Sequence, residues 1–309
     1  MAGLTQVEYG GWATNHQLSN GLIDVIITGE VGPRLIHFGF TGEGNEFYND
    51  PATLGYTGDE WQLYGGHRFW HAPEHPTRTY LPENKPVTVK ERDGKVIVRQ
   101  PVERETGLRK VIELTMPDGK AHMRVVHRLR NTGLWPVTCA PWALSVMAGG
   151  VGIVPLPPRG THPEALLPSN TLTLWPYTHM NDPRWTWGEK YILLRFDSHT
   201  NAPQKVGADV KDNWIASVRD GHLFVKLFRR VDGATYPDLG CTIEMFTNHF
   251  MLEVETLGPL QTIQPQTGTQ HTEDWFLFRD VPTPTHDADV DANILPRVRE
   301  AQQYLEAWR

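Results

Sequence analysis

The chain has 309 residues, with 36 acidic against 29 basic side chains and a formal charge of −7, which leaves no basic face for nucleic acid and disfavours anionic membrane surfaces. Two cysteines, Cys139 and Cys241, are too few for a disulfide framework or a thiolate metal cage. No run approaches the roughly 20 apolar residues of a membrane-spanning helix, and the start, Met-Ala-Gly-Leu-Thr-Gln-Val-Glu-Tyr, has neither the basic nor the apolar region of a signal peptide, so a cytoplasmic protein is expected.

The first informative segment in chain order runs from Gly65 to Glu74, Gly-Gly-His-Arg-Phe-Trp-His-Ala-Pro-Glu. A helix would set His67 and His71 on one face at the spacing of zinc-binding helices. Gly65, Gly66, Pro73 and Pro76 oppose that helix. An extended or irregular segment is expected instead, presenting His67, Arg68, Trp70 and His71 to a polar, sugar-type site. The alternative is a buried aromatic turn whose histidines satisfy backbone groups. His67, His71 and His75 are evenly spaced, but the prolines keep them from converging on one ion, and no metal is expected.

Alternating strands then follow one another. Val87 and Val89 precede the Asp93-Gly94 turn and Val96 and Val98 follow it, a hairpin with the residues of a type I′ turn. A second hairpin pivots on Pro117-Asp118-Gly119, and in its return strand His127 shares the phase of Met123, Val125 and Leu129, which makes it a core histidine. The proline-rich stretch from Pro155 to Pro176 is a long excursion of the kind that forms rims and lids. From Thr171 to Trp187, Trp175, Tyr177, Trp185 and Trp187 cluster, suited either to the C–H faces of a sugar or to a satellite core under a loop. A third hairpin turns at Asp220-Gly221.

In Phe250-Met-Leu-Glu-Val-Glu255 the residues Phe250, Leu252 and Val254 share one strand face, while Glu253 and Glu255 share the other, about 7 Å apart. On solvent surface that pair is ordinary. Lining a pocket, its repulsion and burial would raise one pKa and create a general base. Phe276 and Phe278 mark a last strand. From Pro296, the residues Val298, Ala301, Tyr304, Leu305 and Trp308 recur at helical spacing and predict a C-terminal helix over about 296–309. One all-β domain spanning residues 1–309 is expected. No Gly-x-Gly-x-x-Gly, phosphate loop or Gly-x-Ser-x-Gly elbow occurs, so the usual markers of nucleotide cofactors and of serine hydrolysis are missing and no cofactor is expected.

Three segments carry a likeness. Gly32-Pro33-Arg34-Leu35-Ile36, then His127-Arg-Leu-Arg-Asn131-Thr-Gly133 with Trp135-Pro136-Val137, then Glu255-Thr-Leu-Gly-Pro259 with Pro265-Gln-Thr-Gly268 and Glu273-Asp-Trp275 stand in the order of the galactose mutarotase-like (aldose 1-epimerase) superfamily, which the chain resembles. The resemblance implies a β-supersandwich with a concave sugar site. It implies a glutamate, here Glu255, that takes the anomeric hydroxyl proton while a histidine protonates the ring oxygen. It departs at Ala140-Pro141-Trp142-Ala143-Leu144-Ser145, where the family carries His-Pro-Tyr-Phe-Asn-Leu. The acid would then fall to His71, with Arg34, His67, Arg68, Trp70, Glu253, Trp175 and Tyr177 as substrate-binding residues. The partner expected is a carbohydrate or oligosaccharide. Rival readings on the same scaffold are a glycoside hydrolase or lyase and a carbohydrate-binding protein without turnover.

Overall fold

Period-two burial sets the architecture. In the strand Leu108–Thr115, for example, Leu108, Lys110, Ile112 and Leu114 are buried and the alternate positions are half-exposed, so one face must meet another layer. The computed structural model describes residues 3–308 and resolves this need with two antiparallel sheets packed face to face.

The front sheet runs in the order Gly3–Tyr9, Trp12–Ser19, Ile23–Ile27, Arg34–Phe40, Gly66–Ala72, Val137–Met147, Leu252–Leu257, Ile243–Thr247, Gln204–Ala208 and Leu172–Leu174. The short strand Gln261–Ile263 adds to Val137–Met147. The back sheet runs Trp185–Trp187, Tyr191–Arg195, Val151–Pro155, Trp214–Arg219, His222–Phe228, Gly268–Phe278, His122–Asn131, Leu108–Thr115, Lys95–Arg99 and Thr88–Arg92. All three expected hairpins form. At two of them, Asp93 and Gly94 and then Asp220 and Gly221 take the paired positive φ angles of a type I′ turn.

Between the sheets Phe38 and Phe47 of the front meet Phe224 and Trp275 of the back, with ring centroids 5.4–6.2 Å apart. Each such side chain contributes about 1.5–3 kcal/mol when fully buried. The outer faces differ. The back sheet is covered by the C-terminal helix, whose Val290, Ile294, Val298, Ala301 and Leu305 pack on Ile153, Trp214, Val225 and Phe276. The front sheet keeps charged and aromatic residues on its outer face.

That helix starts earlier than its apolar periodicity indicates. A first turn at Asp287–Asp289, capped by His286, leads through a π-helical stretch at Val290–Ile294 into Leu295–Trp308. Leu295 N–H reaches back five residues to Val290 O. Pro296 has no N–H to place, so the widened turn carries the helix past it. No helix among the described residues is long and apolar enough to cross a membrane.

Candidate functional site

The segment Gly66–Ala72 is an extended strand, buried at every position. Its two glycines are structural necessities. Gly65 and Gly66 have φ of 91° and 72°, and a Cβ would come within 1.9 Å of Tyr48 O at the first and 2.4 Å of Leu35 O at the second. Register then decides which side chains share a face. Leu144 pairs with both Arg68 and Glu255, Glu255 pairs with Glu244, and Trp142 pairs with Trp70. Opposed residues point the same way. Arg68, Trp70, Trp142, Glu244, Glu253 and Glu255 therefore project together from the front sheet, with Lys205 arriving opposite Phe246.

The charges on this face are knitted together. Arg68 Nη2 donates to Glu253 Oε1 at 2.7 Å, with its guanidinium 4.3 Å from the Trp70 ring centre. Lys205 Nζ lies 2.6 Å from Glu244 Oε2 and 3.4 Å from Glu255 Oε1, between the Trp142 and Trp175 rings at 5.0 and 4.7 Å. Trp142 Nε1 donates to Glu255 Oε2 at 2.7 Å. Gly207 lets Trp175 lie this close, since a Cβ there would meet Cys241 Sγ at 2.4 Å and the Trp175 ring at 3.3 Å.

Burial pushes the Glu255 carboxyl above the usual range. Lys205 and the Trp142 N–H pull it back, and Glu253 pushes it further up. Burial lowers the Lys205 ammonium, but Glu244 and Glu255 outweigh that and hold it charged. The tyrosines roof the face. Tyr80 stands edge-on to Trp70 and Trp61 and donates to Glu74. Burial raises the Tyr177 hydroxyl, whose electrostatic neighbours are Lys205, Glu255, Glu74 and Glu244. Glu255 is 0% and Lys205 5% exposed, whereas Tyr80 and Tyr177 are 38% and 36% exposed.

The structure does not bring the two histidines to Glu255. In a strand, His67 and His71 alternate with Arg68 and Trp70 and face the opposite way. His67 Nδ1 meets Ser145 Oγ at 2.9 Å, and its Nε2 meets His127 Nε2, on the back sheet, at 2.7 Å. His71 has Lys110, Glu103 and Arg78 as its charged neighbours, and burial lowers it to about 4. The expected acid and one expected binding residue thus lie between the sheets. Arg34 is opposed to Arg68, but its guanidinium is committed to the Leu63 and Gly65 carbonyls and to Glu83. The aromatic cluster also divides. Trp175 and Tyr177 attend Glu255, whereas Trp185 packs in the inter-sheet core and stacks with Trp187 at 4.9 Å.

His127 is fully buried, as its strand phase predicts. It joins His67 and Glu273 in a trio whose donor atoms lie within 4.8 Å of one another. This geometry is a hydrogen-bonded core rather than a metal cage. The 2.7 Å Nε2–Nε2 distance is shorter than the about 3.3 Å between two nitrogens on one tetrahedral ion at about 2.0–2.1 Å. Glu273 already accepts from Lys226 at 3.0 Å, Thr256 at 2.5 Å and Trp275 at 2.8 Å. A separate cavity of about 480 Å³ opens beside residues 81–85 and 100–105. Glu83 and Glu103, which line it, pair with the buried Arg34 and Lys110.

Glu244, Lys205 and Trp142 escape a sequence reading. Glu244 is a lone carboxylate between Ile243 and Met245, and Lys205 is separated from Arg68 by three intervening strands. A charged residue in phase with a strand's polar face is their only local mark.

No protein-family model and no curated protein matches the sequence. Solved structures do. A galactose mutarotase-like protein from Lactobacillus casei superposes with a TM-score of 0.53 at 11% identity, over 85% of this chain and 100% of that one. One from Clostridium acetobutylicum gives 0.54 at 9%, over 90% and 99%. A galactose mutarotase related enzyme from Lactobacillus acidophilus gives 0.50 at 9%, over 88% and 100%. With its two packed antiparallel sheets and C-terminal helix, the chain has the galactose mutarotase-like fold.

Proposed function

We propose that this chain is a carbohydrate-active enzyme working at the anomeric centre of a sugar, an aldose 1-epimerase-like isomerase whose general base is Glu255. One observation carries the reading. Glu255 is a fully buried carboxylate, oriented by the Trp142 N–H, on a strand face walled by the Trp70, Trp142 and Trp175 rings. Indole faces suit the apolar C–H faces of a sugar, and a desolvated carboxylate suits proton abstraction from its anomeric hydroxyl. The names of the structural neighbours support the same substrate class.

Ring opening also needs a donor at the ring oxygen. His71 is turned away, and the donors on the Glu255 face are the Lys205 ammonium, the Arg68 guanidinium, the Trp70 and Trp142 N–H groups and the Tyr177 hydroxyl. Lys205, 3.4 Å from Glu255, would hydrogen-bond the ring oxygen and pass it a proton as its bond to the anomeric carbon breaks, regaining that proton on closure, with Arg68, Trp70, Glu253, Trp175 and Tyr177 binding the hydroxyls and ring faces. A binder without turnover is the second reading, favoured by the absence of an imidazole from this face among the described residues.

Polarimetry on a panel of freshly dissolved aldoses tests the proposal. The wild type should speed the approach to anomeric equilibrium, and Glu255→Gln should lower kcat by about 10²-fold or more. New chain ends from oligosaccharides would indicate a hydrolase or lyase. Thermal stabilisation by sugars without turnover would indicate the binder.

A further inference from the structure

The carboxylates on the outer face of the front sheet outnumber the cations that serve them. Arg68 is matched by Glu253. Lys205 is shared between Glu244 and Glu255, so one of that pair lacks a countercharge. Asp238 adds a further carboxylate beside Glu244. The imbalance lies in a desolvated place, since Glu244 is 1% and Glu255 0% exposed.

Two acceptor atoms are also left over. Glu244 Oε1 and Glu255 Oε1 are buried without a hydrogen bond, Glu255 Oε1 keeping only its 3.4 Å ion-pair contact with Lys205 Nζ, although buried carboxylate oxygens are costly to leave unpaired. The donors left over on this face, Arg68 Nε and Nη1 and Trp70 Nε1, belong to Gly66–Ala72, across Val137–Met147 from the pair. The surrounding surface already accommodates an ammonium, because the Trp142 and Trp175 rings flank Lys205 Nζ. A second cation beside this pair would supply the countercharge that Lys205 alone does not.

We propose, resting on the carbohydrate reading above, that Glu244 and Glu255 form a cation-selecting pair and that this site prefers sugars bearing a protonated amino group and rejects sugars bearing a carboxylate. Burial pushes both carboxyls above their usual range, as expected where a missing countercharge is made good by a proton until a ligand cation replaces it. An anionic sugar would add to the excess negative charge. A neutral sugar leaves it uncompensated.

The test is calorimetric titration of the full chain with glucose, glucosamine, N-acetylglucosamine and glucuronate, under conditions where the free amine is charged. Glucosamine should bind at least about tenfold more tightly than glucose, a modest return for a buried charge pair. N-acetylglucosamine, which keeps the nitrogen and loses the charge, should fall back to the level of glucose, and glucuronate should bind more weakly than either. Glu244→Gln should bring the glucosamine-to-glucose ratio within about twofold of unity, a measure of the lost charge that does not depend on overall affinity. Glu255→Gln should shrink the same ratio and serves where the first variant does not fold. Glucuronate binding as tightly as glucose, or a ratio that survives Glu244→Gln, overturns the proposal. Methylammonium separates the two layers of argument. If it stabilises the wild type but not Glu244→Gln while no sugar binds, the cation pair stands and the carbohydrate reading fails. If neither methylammonium nor any sugar binds, both fail.

Discussion

The Trp142–Glu255 contact sets the working range of the base. A hydrogen bond to the ionised carboxylate favours that form, so the Trp142 N–H works against the upward push of burial. Trp142→Phe keeps a ring against Trp70 and removes the donor. Its expected effect is a further rise of the Glu255 carboxyl, moving the acidic limb of the pH–rate profile up by about one unit, since a hydrogen bond to a charged group is worth about 1.5–3 kcal/mol. An unmoved limb would mean that Glu255 is not the group titrating. The histidines should behave oppositely. His71→Asn is expected to leave the chemistry intact, because its ring faces away from Glu255. His127→Asn is expected to cost about 1–3 kcal/mol in urea unfolding by leaving His67 Nε2 without its partner, again with little change in turnover per folded molecule.

Strand phase explains both what the sequence discloses and what it hides. The alternation in Phe250–Glu255 puts Glu253 and Glu255 on one face and Leu252 and Val254 on the other, as found. The same rule applied to Gly66–Ala72 separates His67 and His71 from Arg68 and Trp70. Of the extended or irregular segment expected, only an irregular one could gather all four in one site, and the segment is a regular strand hydrogen-bonded on both sides. Glu244 and Lys205 were beyond reach for another reason. Lys205 reaches the face through a strand that pairs with Ile243–Thr247 from about 40 residues earlier, a topology that leaves no periodic trace, and Glu244, although in the hairpin partner of Leu252–Leu257, is marked by no second carboxylate. The helix start leaves no apolar trace because its first turn depends on the His286 side chain, which accepts from Asp289 N–H, rather than on apolar spacing. At this scale Gly66→Ala is a sharp test of the strand's fit. A methyl group would have to displace Leu35 O at a φ that disfavours side chains, and a loss of about 1–3 kcal/mol is expected in thermal or urea unfolding. An undiminished melting temperature would show that the strand does not pass this close to Leu35.

Across the whole molecule, the sandwich stores neutral imidazoles. Burial lowers His127 to about 3 and both His71 and His271 to about 4, against 6.5 for an exposed ring. The folded state therefore binds fewer protons than the unfolded one below pH 6.5, so their contribution to stability is complete above that value and is lost as pH falls toward 4. Each ring can cost up to about 1.4 kcal/mol per pH unit over this window. Glu244 and Glu255, raised by burial, run the other way and recover part of the loss. The expected net result is a fall in unfolding free energy of at least about 2 kcal/mol between pH 7 and pH 5, read from urea midpoints. His127→Asn should flatten that dependence. A midpoint that does not move between the two pH values would show that the imidazoles are not held neutral in the core.

The placing of Lys205 Nζ between two indoles has an optical consequence. A fixed positive charge beside an indole shifts and quenches its emission, and here one ammonium acts on both Trp142 and Trp175. Trp142 belongs to a central strand, whereas Trp175 lies just past the short edge strand Leu172–Leu174. Admission of a ligand should therefore change the light from one indole while leaving the other near its cation. The protein carries its own reporter of occupancy, readable by fluorescence before any substrate has been identified.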